Sequence, residues 1–300
     1  MKQHKHGSMM KRKEGFAGIM FILPAIIFFL VFFLLPLLIC IYAGFTNWNI
    51  LSVKRTVVGF RNYQKLFADP KFLVAIRNTF YMLIPIPVYL VLGLGFAYSC
   101  HRKILGEKVF RVIYYLPYIS SVVALVLIWK WLFNSQYGIV NNFLSLFGVK
   151  GPDWLGDPVW TRRMIVAMIS WKMIGIVSIY FIAALESIPK TYYEAAEIDG
   201  ASRLRQFINI SLPMLTPTVF YLTVVGLIGS LQTFIEVQLF TSDGGRNYGV
   251  GTVIYYIWQK AFGSSQMGYA CAAATVFGLF ILLITTIQMV VSGKWVYRGE

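Results

Sequence analysis

Six long apolar runs constrain this chain more than anything else in it. They cover roughly residues 16–42, 73–100, 109–133, 163–187, 214–240 and 267–292. A helix rises 1.5 Å per residue and needs about 20 residues to cross the hydrocarbon of a bilayer. Each run is therefore long enough to span with some tilt. The fold class expected is all-α: a polytopic membrane protein of six transmembrane helices. With 58% of residues hydrophobic and 13% charged, the chain lacks the charge that covers a soluble domain.

A net charge of +15 would suggest nucleic acid in a soluble chain. Here basic residues between the runs set topology and meet the anionic headgroups of a lipid bilayer. There is no zinc-finger spacing and no soluble basic domain, so no nucleic-acid partner is expected. Lys and Arg are roughly twice as dense in the N-terminal tail, residues 101–111, residues 188–213 and the C-terminal end as in the opposite loops. That bias puts both termini in the cytoplasm, although Lys54, Arg55, Arg61, Lys65 and Lys71 crowd the first outer loop. The first run follows Lys11, Arg12 and Lys13 but continues from Phe16 to Tyr42 without a small-residue cleavage site. That is too long for a signal-peptide core and reads as a retained helix. Cys40, Cys100 and Cys271 are scattered, so neither disulfides nor a metal cluster is expected, and His4 and His6 lie in a polar tail. No metal site and no catalytic residue is expected.

The second run is punctuated by Pro85, Pro87, Gly93 and Gly95. Proline deletes a backbone hydrogen bond and kinks a helix, and lipid does not replace the bond. This segment is expected inside the bundle, where neighbours cover the break.

Residues 188–213 form the most informative loop. Pro189 precedes good helix formers from Thr191 to Ile198, Asp199-Gly200 reads as a helix end, a second helical stretch covers Ala201 to Ile210, and Pro213 begins the next span. Ala195 and Ala196 let another surface approach closely. Glu194 offers a carboxylate to a basic partner, and Tyr192 and Tyr193 add apolar area with polar tips. Such a helix suits a groove on another protein. A helix lying on headgroups would carry Lys and Arg, whereas Glu194, Glu197 and Asp199 are acidic.

Glu194-Ala195-Ala196, three residues, Gly200, nine residues and Ile210-x-Leu212-Pro213 match the EAA motif of importer-type ATP-binding-cassette permeases at every defined position. The chain resembles the carbohydrate-import branch of that family along most of its length. Asn78-Thr79, Leu92-Gly93-Leu94, Arg111 with Leu116-Pro117, Tyr137-Gly138 with Asn141, Ala184 to Pro189 and Phe240 to Gly245 all carry the resemblance. Asp243 is extra and Arg246 stands where the family has proline. Gly138 with Asn141, and Gly244-Gly245, resemble the maltose-system F permease more than its G-type partner.

The resemblance implies a type I importer transmembrane domain whose loop is a coupling helix seated in a cleft of an ATPase. The coupling residues would be Tyr193, Glu194, Ala195, Ala196, Asp199, Gly200, Ile210, Leu212 and Pro213. It also implies a second homologous permease, two ATP-binding-cassette ATPase subunits, an extracytoplasmic solute-binding protein and a carbohydrate substrate, in a bacterial cytoplasmic (inner) membrane. No GxxxxGK[ST] occurs, so the chain has no P-loop of its own. ATP and Mg belong to the partner ATPase, with no cofactor in this chain, which is not expected to be an enzyme. The expected organisation is a tail at 1–14, a first transmembrane helix and outer loop at 15–72, a permease domain at 73–293 containing the coupling loop 188–213, and a tail at 294–300.

For the cargo path, the fifth run offers Ser230, Gln232, Thr233 and Glu236. Ser230, Thr233 and Glu236 are spaced to share one helical face. Hydroxyl, amide and carboxylate groups beside aromatics suit a sugar, whose hydroxyls want donors and acceptors and whose ring faces stack on aromatic surfaces. The same residues would also serve as interhelical glue. The resemblance adds Tyr118 with Ser121. Lys172, after Trp171, is a candidate for the cavity face, and Lys130 is expected to snorkel from a helix end. Alternatives are a permease for a non-sugar solute such as glycerol phosphate, or a proton-coupled carrier. The carrier needs a carboxylate at mid-membrane depth, where only Glu236 qualifies. A membrane enzyme would need a loop cluster of carboxylates and histidines, which is missing.

Overall fold

The computed structural model describes residues 19–52, 55–101, 107–241, 243–293 and 295–297. The tail at 1–14, the opening residues 16–18 of the first run, and Ser242 lie outside these residues. Among the described residues helices carry the fold, and the one β pairing is an isolated bridge from Thr46 to Val57.

Four helices are long and apolar enough to cross a membrane: Ile19–Gly44, Pro70–Cys100 (with a turn at 82–84), Pro158–Glu186 and Met267–Ser292. Two bent pairs, Val112–Ile119 with Val122–Leu132 and Arg203–Met214 with Thr216–Leu231, bring the number to six if each pair is one span. In chain order the helices are α1 (Ile19–Gly44), α2 (Arg61–Ala68), α3 (Pro70–Tyr81), α4 (Pro85–His101), α5 (Glu107–Ile119), α6 (Val122–Leu132), α7 (Ile139–Leu146), α8 (Pro158–Glu186), α9 (Lys190–Ile198), α10 (Arg203–Met214), α11 (Thr216–Leu231), α12 (Ile235–Phe240), α13 (Val253–Trp258) and α14 (Met267–Ser292).

Local chemistry explains where these helices start. Asp69 caps α3 by accepting from the Lys71 N–H, with Pro70 in the first turn. Asp157 caps α8 in the same way through Val159, with Pro158 in its first turn. Proline costs nothing there, because the first-turn N–H has no intrahelical partner. The break expected in the second run lies at residues 82–84, just before Pro85.

Two runs differ from expectation. The third was expected to be continuous over 109–133, but it breaks at Ser120 and Ser121, and the flanking helices meet at 105°. Pro117 in the last turn of α5 lacks an N–H, and the Ser120 hydroxyl bonds the Leu116 carbonyl, so the ladder ends there. The fifth was expected as one helix over 214–240. It begins earlier, bends by 57° between α10 and α11, stops at Leu231 and resumes at Ile235. At the second break Thr233 Oγ1 donates to the Ser230 carbonyl and Thr252 Oγ1 to the Thr233 carbonyl. The Ser230 carbonyl also accepts from the Thr233 N–H, so a tight turn and a side chain from outside the run take the place of the helical ladder there. Ser230, Thr233 and Glu236 therefore do not share one helical face.

The chain forms two compact units. In the unit made of residues up to Leu66 and Lys260–Val276, Asn62 Nδ2 donates to the carbonyls of Gly44 and Thr46 at 2.9 and 2.8 Å. The unit of Phe67–Gln259 and Phe277 onward has its core between α4, α8 and α11, where Tyr89, Val177, Phe181, Leu185 and Leu222 are buried together.

In this second unit Asn78, fully buried in α3, donates to the carbonyls of Tyr248 and Gly251 at 3.0 Å each and accepts from Arg162 Nη1 at 2.8 Å. Next to it, Thr79 Oγ1 accepts from the Val253 N–H. These bonds hold a loop in which Asn247 and Tyr248 adopt φ of 54° and 60°, a region unfavourable to residues with a Cβ. Burial also pushes the Tyr248 phenol above its ordinary pKa, which keeps it neutral. Asn78→Ala is expected to destabilise this unit by about 2–4 kcal/mol, because two carbonyls and a guanidinium lose their partner. A lower midpoint in thermal unfolding of the detergent-solubilised protein would report it. Asn78→Asp should do no better, since a carboxylate cannot donate to carbonyls.

Candidate functional site

Two features of the second unit hold the residues singled out in the sequence. The first is the loop at 188–213. Helix α9 ends at Ile198, and Gly200 takes φ +74°. Its N–H bonds the Glu197 carbonyl at 3.1 Å, and the Ala201 N–H bonds the Ala196 carbonyl at 2.9 Å. This pair of closing bonds depends on a left-handed residue that glycine adopts without strain. Ser202 then caps the next helix through the Arg205 N–H. The second stretch, expected over Ala201–Ile210, is helical from Arg203 and runs on to Met214, with a wider turn over Phe207–Ser211.

The loop has two faces. Tyr193 Oη lies 2.9 Å from Ser211 Oγ, and Tyr193 and Ile210 pack against the buried cluster containing Leu185, Ile188 and Leu215. This face ties the loop to the spans. The other face is open: Glu194, Ala195, Asp199, Leu212 and Pro213 are exposed, as are Ile198 (87%) and Leu204 (68%). Large apolar side chains and carboxylates thus share the open face of the loop.

The second feature is a cavity of about 590 Å³. Small-molecule sites typically measure roughly 300–1,000 Å³. Tyr118 from α5, Lys172 from α8, Ser230 at the end of α11, Gln232 and Thr233 in the break, and Glu236 in the first turn of α12 all line it. The break thus brings together what the assumed helical face could not. Lys172 Nζ lies 3.6 Å from Glu236 Oε1. Ser121 is not in the lining; it is exposed at the N-cap of α6. Lys130, in the last turn of α6, donates from its Nζ to the Leu239 carbonyl at 3.1 Å, near the end of short α12.

Sequence reasoning missed Tyr89 and Gly226, which also line the cavity. Tyr89 is 2% exposed, and its hydroxyl has no hydrogen-bond partner among the described residues. A Cβ on Gly226 would overlap that hydroxyl, so the glycine is what lets α4 and α11 meet there. A lone tyrosine in a proline-broken apolar run has no periodic signal. The nearest clue was the break at Pro85 and Pro87 itself.

Residues 89–297 match the family described as the inner membrane component of binding-protein-dependent transport systems. The chain belongs to this family. It is similar to a probable ABC transporter permease protein, YesP, of Bacillus subtilis (strain 168), at 32% identity over 95% of this chain and 93% of that one. It is equally similar, at 32%, to the lactose transport system permease LacF of Rhizobium radiobacter, covering 94% of this chain and 95% of LacF. The diacetylchitobiose uptake permease NgcF of Streptomyces coelicolor is 31% identical over 95% of this chain and 86% of its own length.

Among solved structures, a bacterial ABC transporter involved in import of the acidic polysaccharide alginate superposes with a TM-score of 0.80 at 26% identity, covering 97% of this chain and 99% of that one. The ABC permease described here is thus a multi-pass membrane protein with the type I importer fold, and it is a transport component rather than an enzyme.

Proposed function

We propose that this permease carries a saccharide across the bacterial inner membrane as one half of a two-permease path, powered by a separate ATPase. The make-up of the 590 Å³ cavity carries the reading. It combines aromatic surface from Tyr118 with hydroxyls of Ser230 and Thr233, the Gln232 amide, and the Lys172 and Glu236 heads. Polar groups of both donor and acceptor type around apolar and aromatic walls are what a ring with many hydroxyls needs.

The exposed face of the loop 188–213 is the docking surface for an ATP-binding-cassette subunit, which holds the ATP and Mg. Glu194, Ala195, Asp199, Gly200, Leu212 and Pro213 form or shape that surface, Tyr193 and Ile210 seat the loop on the spans, and the Ala196 carbonyl closes the turn by accepting from the Ala201 N–H. Both termini and this loop lie in the cytoplasm, and a second homologous permease completes the path. An extracytoplasmic binding protein delivers the cargo; an alginate importer has been solved in complex with an alginate pentasaccharide-bound periplasmic protein, at a TM-score of 0.82 and 25% identity. ATP binding then favours the outward-facing arrangement through its stronger interaction with that state. The residues 1–14, 15–72, 73–293 and 294–300 serve as tail, first span with outer loop, permease body and tail, respectively.

The test is uptake of radiolabelled oligosaccharides by cells expressing the complete importer, with and without its ATPase. ATPase-dependent accumulation of at least one saccharide is the expected result. Accumulation of none, from an importer that assembles and hydrolyses ATP, would end the saccharide reading. The kin include permeases named for lactose and diacetylchitobiose and an importer of acidic alginate, so kinship leaves the charge class of the cargo open.

A further inference from the structure

We propose that the cavity selects an uncharged saccharide, and that the Lys172–Glu236 ion pair on its wall is the specificity determinant. This rests on the saccharide reading above. Lys172 and Glu236 are the only charged residues among the described residues lining the cavity, and they have opposite signs. Their charged atoms lie 3.6 Å apart, with side chains only 20% and 14% exposed. The rest of the lining is neutral: hydroxyls, an amide, aromatic rings and aliphatic walls.

The geometry treats ligands of different charge unequally. A carboxylate-bearing sugar would draw Lys172 away from Glu236 and leave the Glu236 carboxylate, only 14% exposed, without its partner. An amino sugar would do the converse to Lys172. Breaking a sheltered pair in this way is costly, because one charge remains without its partner. An uncharged sugar leaves the pair intact. At 3.6 Å the ammonium keeps N–H groups free for a sugar oxygen, and the carboxylate keeps its second oxygen free for a sugar hydroxyl. Hydrogen bonds to charged groups are also the stronger kind. The pair therefore serves as a combined donor and acceptor toward hydroxyls and as a barrier to ligands of either sign.

The experiment compares uptake of neutral oligosaccharides (malto-, cello-, xylo- and arabino-series) and acidic ones (oligogalacturonates and oligoalginates) by the complete importer with its own binding protein. It includes Lys172→Gln, Glu236→Gln and the double variant, with assembled complex in the membrane quantified for each. Wild type should accumulate a neutral member and no acidic one. Each single variant should lose roughly tenfold or more of that uptake per assembled complex, through an unpaired charge in the wall. The double variant, again charge-balanced, should recover to within about threefold of wild type.

Preference of the wild type for acidic oligosaccharides would overturn the assignment while leaving the saccharide reading standing. So would wild-type uptake in both single variants, or a double variant no better than the worse single at equal assembly. Accumulation of no saccharide by an assembled, ATP-hydrolysing wild type would remove the saccharide reading and this inference with it.

Discussion

Gly200→Pro is expected to leave the spans inserted and to abolish transport-linked ATP hydrolysis. Gly200 sits at φ +74° and donates its N–H to the Glu197 carbonyl. Proline fixes φ near −65° and has no N–H, so it can satisfy neither requirement, at a local cost of ~3 kcal/mol or more. That equals a shift of about a hundredfold in the population of the folded turn. Helix α9 then loses its end, and the exposed face bearing Glu194 and Ile198 loses its shape. Glu194→Lys tests the same surface by charge alone, because it leaves the helix intact and presents a cation to a partner chosen for a carboxylate. The measurements are binding-protein-stimulated ATPase activity in proteoliposomes and co-purification of the ATPase subunit, normalised to inserted permease. Normal values for both variants would remove this loop from the coupling role.

The second large effect belongs to the cavity. Gly226→Leu is expected to block uptake almost completely while ATPase co-purification stays at the wild-type level. Even one Cβ at this position overlaps the Tyr89 hydroxyl. A leucine side chain must either push Tyr89 and α4 aside or occupy the cavity, and closely packed interiors accommodate neither without cost. Gly226→Ala should give a graded loss, roughly tenfold, as Tyr89 is displaced by about one methyl group. Wild-type uptake by Gly226→Leu would show that cargo passes elsewhere. Because the two predictions separate docking from passage, each serves as the other's control.

These two features were not equally legible in the sequence. The loop was readable because its information is local: helix formers, a glycine at the required left-handed position and a proline beyond it act within a few residues of one another. Met267–Ser292 was readable for the same reason, since one apolar run with no internal proline has only one way to satisfy its backbone in lipid.

The cavity was legible in its residues but not in its shape. Ser230, Thr233 and Glu236 look like one helical face only if the helix continues, and what ends it is Thr252, 19 residues further on, bonding the Thr233 carbonyl. Likewise, Lys130 finds the Leu239 carbonyl 109 residues away. Apolar composition hides such breaks, because a polar residue inside a hydrophobic run reads the same whether it lines a face or ends a helix.

The bonds of Asn78 have a consequence for how the protein is made. Their acceptors lie 170 and 173 residues downstream. At a synthesis rate of roughly 5–20 residues per second, they arrive about 9–35 s after Asn78 leaves the ribosome. During that interval Asn78 in the nascent second span carries a primary amide lacking its final partners. The second span thus stays provisional until the loop after the fifth has been delivered. Assembly of the bundle is therefore closed late, by a clasp whose two halves are among the most widely separated in the chain, and a polypeptide truncated before Tyr248 should be left open to quality-control proteolysis however well its earlier helices insert.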